Sequence, residues 1–166
     1  MPFLKRGGKP TLHYVIDDCT DPWRNAPYLI LQHGYGRSGV FWRSWVPYLA
    51  RYYRVVRPDL RGLGRSPLDF DPHVGLGVDG FVEDLVAIMD ALGGAPVHYC
   101  GESLGGILGI VIAAQMPGRL RTLTLVAAPV TIPKATQQAF ACGHASWQEA
   151  LRTLGSKGWS IAVNAA

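Results

Sequence analysis

Short apolar runs alternate with longer segments of helical spacing along most of the chain. Runs of apolar and β-branched residues, several of them closed by Gly, Pro or Asp, predict strands at 11–16, 28–32, 53–57, 97–100 and 120–127. Two further segments repeat apolar residues at three-to-four spacing and a third is almost wholly apolar, which predicts helices at 41–52, 78–92 and 103–116. Strands alternating with helices predict an α/β fold, a mostly parallel sheet with helices on both faces.

The composition is typical of one folded domain with a substantial core. Of the 166 residues, 48% are hydrophobic and 17% are charged, which argues against intrinsic disorder. Between the predicted strand 53–57 and the predicted helix 78–92, the segment 59–77 is full of Gly, Pro and Asp and is predicted to be a loop.

The positive charge is spread along the chain. Sixteen Lys and Arg residues against twelve Asp and Glu give a formal charge of +4, with no basic run of the kind that binds nucleic acid. Seven arginines lie between Arg37 and Arg65, at spacings typical of the solvent sides of a helix and a strand. We therefore expect no nucleic-acid partner.

Neither membrane insertion nor secretion is expected. No apolar run reaches the roughly 18 residues of a spanning helix, and no apolar segment of a signal peptide follows Lys5 and Arg6. Three cysteines, Cys19, Cys100 and Cys142, have unrelated spacings and form neither a disulfide framework nor a zinc motif. We therefore expect a reducing cytoplasm as the cellular setting, and no metal site.

The candidate nucleophile is Ser103, in the sequence Gly101-Glu102-Ser103-Leu104-Gly105 between the predicted strand 97–100 and the next helix. A turn this tight would force Ser103 into a strained backbone conformation, with small neighbours where the chain passes close to itself. Its hydroxyl would then stand clear of the sheet, and the Leu104 amide would point to where an oxyanion forms. The alternative is a chance match, with Ser103 an ordinary helix N-cap.

A second candidate element, His33-Gly34-Tyr35-Gly36, follows the predicted strand 28–32. Its glycines let the main chain come close to the nucleophile, so the Tyr35 backbone N–H is a candidate second oxyanion donor. The Tyr35 side chain would only line the pocket mouth. For His33 we favour a buried imidazole that is hydrogen-bonded to backbone over a catalytic role.

Three segments together resemble the α/β-hydrolase superfamily, over nearly the whole chain. The segment 33–36 resembles the oxyanion loop of that family, 58–66 its D-x-R-G-x-G-x-S loop and 101–106 its nucleophile elbow. The resemblance implies a serine hydrolase of a small carboxylic ester or lactone, with no cofactor or metal. It is closest to cytoplasmic esterases, enol-lactonases and cofactor-free haloperoxidase-like enzymes. Serine at 103 speaks against the dehalogenase and epoxide-hydrolase branches.

Residues around these motifs have simpler interpretations. Asp59 and Arg61 are expected to hydrogen-bond backbone groups and hold their glycine-rich loop in shape. Cys100 is expected to be a small buried strand residue. Glu102 is expected to face away from substrate or to lie at the rim of the pocket.

The acid and the base are not identified. Family members place them after the serine in the order acid, then histidine, but only His144 and Glu149 follow Ser103, in reversed order. We do not expect either to serve in a triad. Residues 133–166 resemble the start of a helical lid, so we divide the chain into an α/β-hydrolase core at 1–132 and an incomplete lid at 133–166. The chain is then interpreted as the N-terminal portion of such an enzyme.

That interpretation leaves a non-catalytic alternative open. If strand 120–127 has no further neighbour, its apolar edge could pair with another chain. The chain could then be a truncated hydrolase-like protein that binds a partner or self-associates through this edge.

Overall fold

The computed structural model describes residues 2–71 and 75–165, so residues 72–74 of the predicted loop 59–77 lie outside the described residues. The chain forms two compact units, the first ending at Ala128 and the second starting at Pro129.

The first unit contains a six-stranded sheet in the order β1-β2-β4-β3-β5-β6. Its strands are β1 (Phe3–Arg6), β2 (Lys9–Asp17), β3 (Tyr28–Gln32), β4 (Arg54–Pro58), β5 (Val97–Glu102) and β6 (Leu120–Val126). β3 pairs in parallel with β4 and β5, and β5 pairs in parallel with β6, whereas β1 and β2 are antiparallel additions. The predicted mostly parallel sheet is confirmed.

Strand β1 was not predicted. It pairs with β2 in a tight hairpin in which Arg6 faces Lys9 across Gly7 and Gly8. Gly8, the second residue of the turn, has a φ of 68°, in the left-handed region that favours glycine. The Gly-Gly pair was the available signal, but Phe3–Arg6 is too short and too charged to be recognised as a strand.

Helices cover both faces of the sheet, as predicted. Along β3, Leu29 and Leu31 pack on one face with Trp42 and Cys100, while Ile30 packs on the opposite face. The Ile30 face is covered by α2 (Val78–Ala91) and α3 (Leu104–Gln115). Helix α2 ends before Gly93 and Gly94, both at positive φ, as its sequence predicts.

The prediction of a single helix over 41–52 is wrong. The chain instead forms a 3₁₀ helix at Gly39–Trp45 and one short α-helix, α1 (Val46–Leu49). Pro47 explains the break, because it lacks an N–H and is tolerated only in the first turn of a helix. The predicted apolar positions therefore do not form one buried stripe, because Trp42 is fully buried whereas Tyr48 is 77% exposed.

Two of the seven arginines between Arg37 and Arg65 are buried, although the spacing of that stretch is typical of solvent-facing positions. Arg57 is 8% exposed and Arg61 is 5% exposed. Each is paired with a carboxylate, Arg57 Nε with Asp17 Oδ2 at 2.6 Å and Arg61 Nε with Asp84 Oδ2 at 2.6 Å. Burial of a guanidinium is tolerable when it is paired and hydrogen-bonded, and spacing alone does not reveal such a partner.

The second unit contains α4 (Lys134–Ala141) and α5 (Trp147–Ala165), the latter interrupted at Gly155 with φ 67° and ψ 169°. The Phe140 ring lies between those of Trp147 and Trp159, at centroid distances of 6.1 and 5.7 Å. The Trp159 indole N–H donates to the Phe140 carbonyl at 2.7 Å. None of the helices in the described ranges is long and apolar enough to cross a membrane.

Candidate functional site

Ser103 lies at a sharp turn between β5 and α3. Its φ of 52° and ψ of −120° are unusual for a residue with a side chain, and such a conformation costs on the order of 1–3 kcal/mol. The strained turn predicted from the sequence is therefore present. Ser103 makes no side-chain hydrogen bond to the start of α3, so its hydroxyl is not an N-cap. The hydroxyl is left available.

The chain passes so close to itself here that the turn needs glycine. A Cβ on Gly105 would lie 2.5 Å from the Gln32 carbonyl oxygen, which is backbone of β3. A Cβ on Gly101 would overlap the Gly105 carbonyl. The small residues around Ser103 therefore let α3 begin directly against the sheet.

The loop 33–36 lies against Ser103. A Cβ on Gly34 would lie 2.8 Å from the Ser103 Cβ, closer than real side-chain atoms approach. The Gly34 N–H donates to Glu102 Oε2 at 3.0 Å. The structure thus brings together the two segments that the sequence singled out.

The candidate oxyanion donors are the amides of Tyr35 and Leu104. Within residues 2–71 and 75–165, neither N–H donates to a protein acceptor. The Tyr35 side chain is 64% exposed, so the candidate role rests on its backbone alone. The roles of Ser103, Tyr35 and Leu104 in catalysis remain predictions at this point.

His33 is a fully buried imidazole held by backbone groups, as expected. Its Nδ1 donates to the Gly34 carbonyl at 2.7 Å, and its Nε2 accepts the Leu60 N–H at 3.1 Å. This pattern requires the neutral ring. Burial lowers the pKa of His33 below its usual value, against the opposing effect of the Gly34 bond.

Asp59 shapes its glycine-rich loop, as expected. Its carboxylate accepts the N–H of Gly39 at 2.6 Å and that of Arg65 at 2.9 Å. It also pairs with His13 Nδ1 at 2.8 Å, a buried contact that sequence reasoning missed. Residues 13 and 59 become neighbours only through the antiparallel pairing of β2 with β4.

Arg61, like Asp59, holds the glycine-rich loop in shape. Its guanidinium donates to both carboxylate oxygens of Asp84, at 2.6 and 2.7 Å, and to the carbonyls of Gly75 and Gly80. Arg6 binds the same carboxylate. This buried group ties β1 and the glycine-rich loop to α2, and its partner Asp84 was also missed.

The residues preceding Ser103 differ in how well they were predicted. Cys100 is a buried strand residue, as expected, and burial raises the pKa of its thiol. Glu102 is 9% exposed and its carboxylate accepts the Gly34 N–H, so it does not lie at an exposed rim, which was one of its two expected positions.

The only carboxylate side chain after Ser103 has a local contact in the second unit. Glu149 accepts the Ala145 N–H at 3.2 Å, and its own N–H donates to the Ser146 hydroxyl at 3.2 Å. These reciprocal bonds resemble a capping box at the start of α5. Glu149 is therefore engaged in capping α5 within the second unit.

Comparison with known proteins identifies the family. The family model described as alpha/beta hydrolase fold matches residues 27–155, most of the chain. This protein therefore belongs to the α/β-hydrolase family. Strands β3 to β6 of the first unit and the Ser103 turn lie within that match.

Particular relatives are hydrolases by name. The chain is 32% identical over 126 residues to the "Putative carbamate hydrolase RutD" of Azorhizobium caulinodans, covering 76% of this chain and 44% of that protein. It is 36% identical over 103 residues to the 2-hydroxy-6-oxo-2,4-heptadienoate hydrolase of Pseudomonas putida, covering 60% and 37%. The chain thus spans less than half the length of these curated relatives.

Solved structures agree on the fold. A hydrolase from Pseudomonas aeruginosa PA01 superposes with a TM-score of 0.71 at 30% identity, over 93% of this chain and 57% of that one. The enol-lactonase from Burkholderia xenovorans LB400 also gives 0.71, over 98% and 66%, at 24% identity. At that lower identity the second match speaks for the fold alone.

Proposed function

We propose that this chain carries the nucleophile and the oxyanion hole of a serine hydrolase that acts on a small carboxylic ester or lactone. The observation that carries the proposal is the Ser103 turn, with its φ of 52° and the loop 33–36 packed directly against it. The family membership and the hydrolase names of the relatives support the same reaction class.

In the proposed reaction the Ser103 oxygen attacks the substrate carbonyl, and its proton passes to a base. The carbonyl oxygen becomes an oxyanion that the free N–H groups of Tyr35 and Leu104 stabilise. Collapse expels the alcohol with a proton, and water then releases the acid from the acyl-serine. The base is an imidazole oriented by a carboxylate, and we assign neither His144 nor Glu149 to that pair.

The proposal includes a cellular setting and a small-molecule partner. Cys19, Cys100 and Cys142 are all free thiols. Free thiols suit a reducing compartment, so we propose the cytoplasm. The proposed partner is the ester or lactone itself, because the mechanism needs no metal or organic cofactor.

A fluorophosphonate probe tests the nucleophile. The chain is incubated with the probe and the adduct is located by peptide mass spectrometry. We expect one adduct, on Ser103, which forms slowly because no base is assigned within this chain. It is lost in Ser103→Ala and kept in Ser44→Ala, at an exposed serine of the 3₁₀ helix. If the wild-type chain takes up no probe over hours, the proposal fails for this chain and the non-catalytic alternative gains support.

One observation favours that alternative. Strand β6 pairs only with β5, so its outer edge has no strand partner within the described ranges, and Leu125 on it is 45% exposed. An unpaired edge of this kind can pair with another chain. We propose self-association through β6, to be tested by light scattering over a hundredfold concentration range. A monodisperse monomer throughout would contradict it.

A further inference from the structure

Glu102 is a buried acid with a specific partner. It is 9% exposed, it ends β5 directly before Ser103, and its Oε2 accepts the Gly34 N–H at 3.0 Å. A carboxylate is rarely buried without hydrogen bonds, because its desolvation is costly. An acidic residue is normally found at the surface, so the burial of Glu102 indicates a specific structural role.

The bond joins the elbow to the oxyanion loop. Gly34 directly precedes Tyr35, whose N–H is a candidate oxyanion donor. Gly34 has no side chain, so its own backbone torsions do little to fix the direction of the next amide. The carboxylate of Glu102 supplies the missing constraint, since it holds the Gly34 N–H from the same turn that carries Ser103.

The placement is also tight. A Cβ on Gly34 would lie 2.6 Å from Glu102 Oε2 and 2.8 Å from the Ser103 Cβ. The Gly34 backbone therefore fits between the acid and the nucleophile. A loop that moved away from Glu102 would also move away from Ser103.

The charge of Glu102 has a counterion. Arg37, one residue beyond the loop, has its Nε 3.7 Å from the same Oε2, and its side chain is 49% exposed. An uncompensated carboxylate beside a developing oxyanion would oppose it. Arg37 offsets that effect without replacing the hydrogen bond to Gly34.

From these contacts we infer that Glu102 is a positioning residue, which holds the loop 33–36 against Ser103 and so aims the Tyr35 amide. Its effect on catalysis rests on the proposed function. The placement of the loop does not, because the Gly34 bond can be measured in an inactive chain.

Amide hydrogen exchange and NMR shifts of Gly34 provide that measurement. In Glu102→Ala we expect the protection of the Gly34 N–H to fall by about tenfold or more, since one charge-assisted bond is lost. In Glu102→Gln the acceptor oxygen remains, so protection is largely kept while the downfield shift given by a carboxylate acceptor decreases. The Tyr99 amide in β5 monitors global stability, and Glu83→Ala, an exposed acid of α2, is the matched control.

Labelling kinetics add the functional arm. We expect Glu102→Ala to react with the fluorophosphonate about tenfold or more slowly than wild type, and Glu102→Gln to recover most of that rate. Unchanged Gly34 protection in Glu102→Ala, or an unchanged Gly34 shift in Glu102→Gln if the alanine variant does not fold, overturns the inference. If wild type never labels but Gly34 responds as expected, the proposed function fails and the positioning of the loop stands.

Discussion

The hydroxyl of Tyr99 donates a 2.7 Å hydrogen bond to the Gly105 carbonyl, across the turn that carries Ser103. Tyr99 is fully buried in β5, and Gly105 lies in the first turn of α3. The ring also packs where Gly109 leaves space, since a Cβ there would be 2.6 Å from a ring carbon. One side chain therefore fastens the helix to the strand beneath the strained residue.

Removal of that hydroxyl should loosen the turn. We expect Tyr99→Phe to lower the free energy of unfolding by about 1 kcal/mol, because the phenol bond is lost while the ring stays packed. Urea denaturation measures the change. Tyr48→Phe, at a position 77% exposed, is the matched control and should have no effect. Equal stability of the two variants would contradict the role given to Tyr99.

The same residue should destabilise the fold in alkali. Burial raises the pKa of Tyr99 well above the ordinary value of 10.0, so the folded chain keeps a proton that the unfolded chain releases. The contribution is complete below pH 10 and is lost as pH rises above it, by at most about 1.4 kcal/mol per pH unit. Urea midpoints from pH 9 to 11 should fall more steeply in wild type than in Tyr99→Phe. Parallel plots of urea midpoint against pH for the two proteins would argue against a raised pKa of Tyr99.

Sequence patterns correctly predicted the strands, helices and turn whose conformation depends on neighbouring residues. The strands β3 to β6 and the helices α2 and α3 follow from runs of apolar residues and from glycine stops. The Ser103 turn follows from small residues crowded between a strand and a helix. These features depend on neighbours a few positions apart, which a sequence displays directly.

Contacts between distant positions could not be predicted in this way. The Glu102 bond to Gly34 spans 68 positions, and the His13 contact with Asp59 spans 46. Each needs two strands to be paired first. Arg57 was assigned to the solvent side for the same reason, because an arginine is assigned to the surface unless its buried acid is known.

The glycines of the elbow should be intolerant of substitution. In Gly105→Ala the new Cβ would meet the Gln32 carbonyl at 2.5 Å, so backbone must shift. Overpacking of this kind costs about 1–3 kcal/mol, and more where only backbone can yield. Gly118→Ala is the control, because nothing lies within 4 Å of its added Cβ. Comparable urea midpoints for the two variants would contradict the close packing.

The Arg61 and Asp84 pair should be far more important than a surface pair. Arg61→Ala removes one of the two arginines that pair with the buried Asp84 carboxylate in the described residues and leaves Arg6 as the other, and such losses cost about 3–5 kcal/mol. Lys9→Ala breaks the Lys9–Glu83 pair, whose side chains are 52% and 47% exposed, and should cost under about 1 kcal/mol. Denaturant unfolding of both variants measures the two losses of unfolding free energy. Similar losses would show that the buried pair has no special weight.

His33 should make the fold sensitive to acid. Burial lowers the pKa of its imidazole below the ordinary 6.5, so below that pH the unfolded chain takes up a proton that the folded chain refuses. This contribution to stability is present above pH 6.5 and is lost as pH falls. Urea midpoints from pH 7 to 5 should therefore drop less in His33→Gln than in wild type. Because the pKa of His98 is also lowered, His98→Gln is measured alongside, and a His33→Gln curve parallel to wild type refutes the prediction.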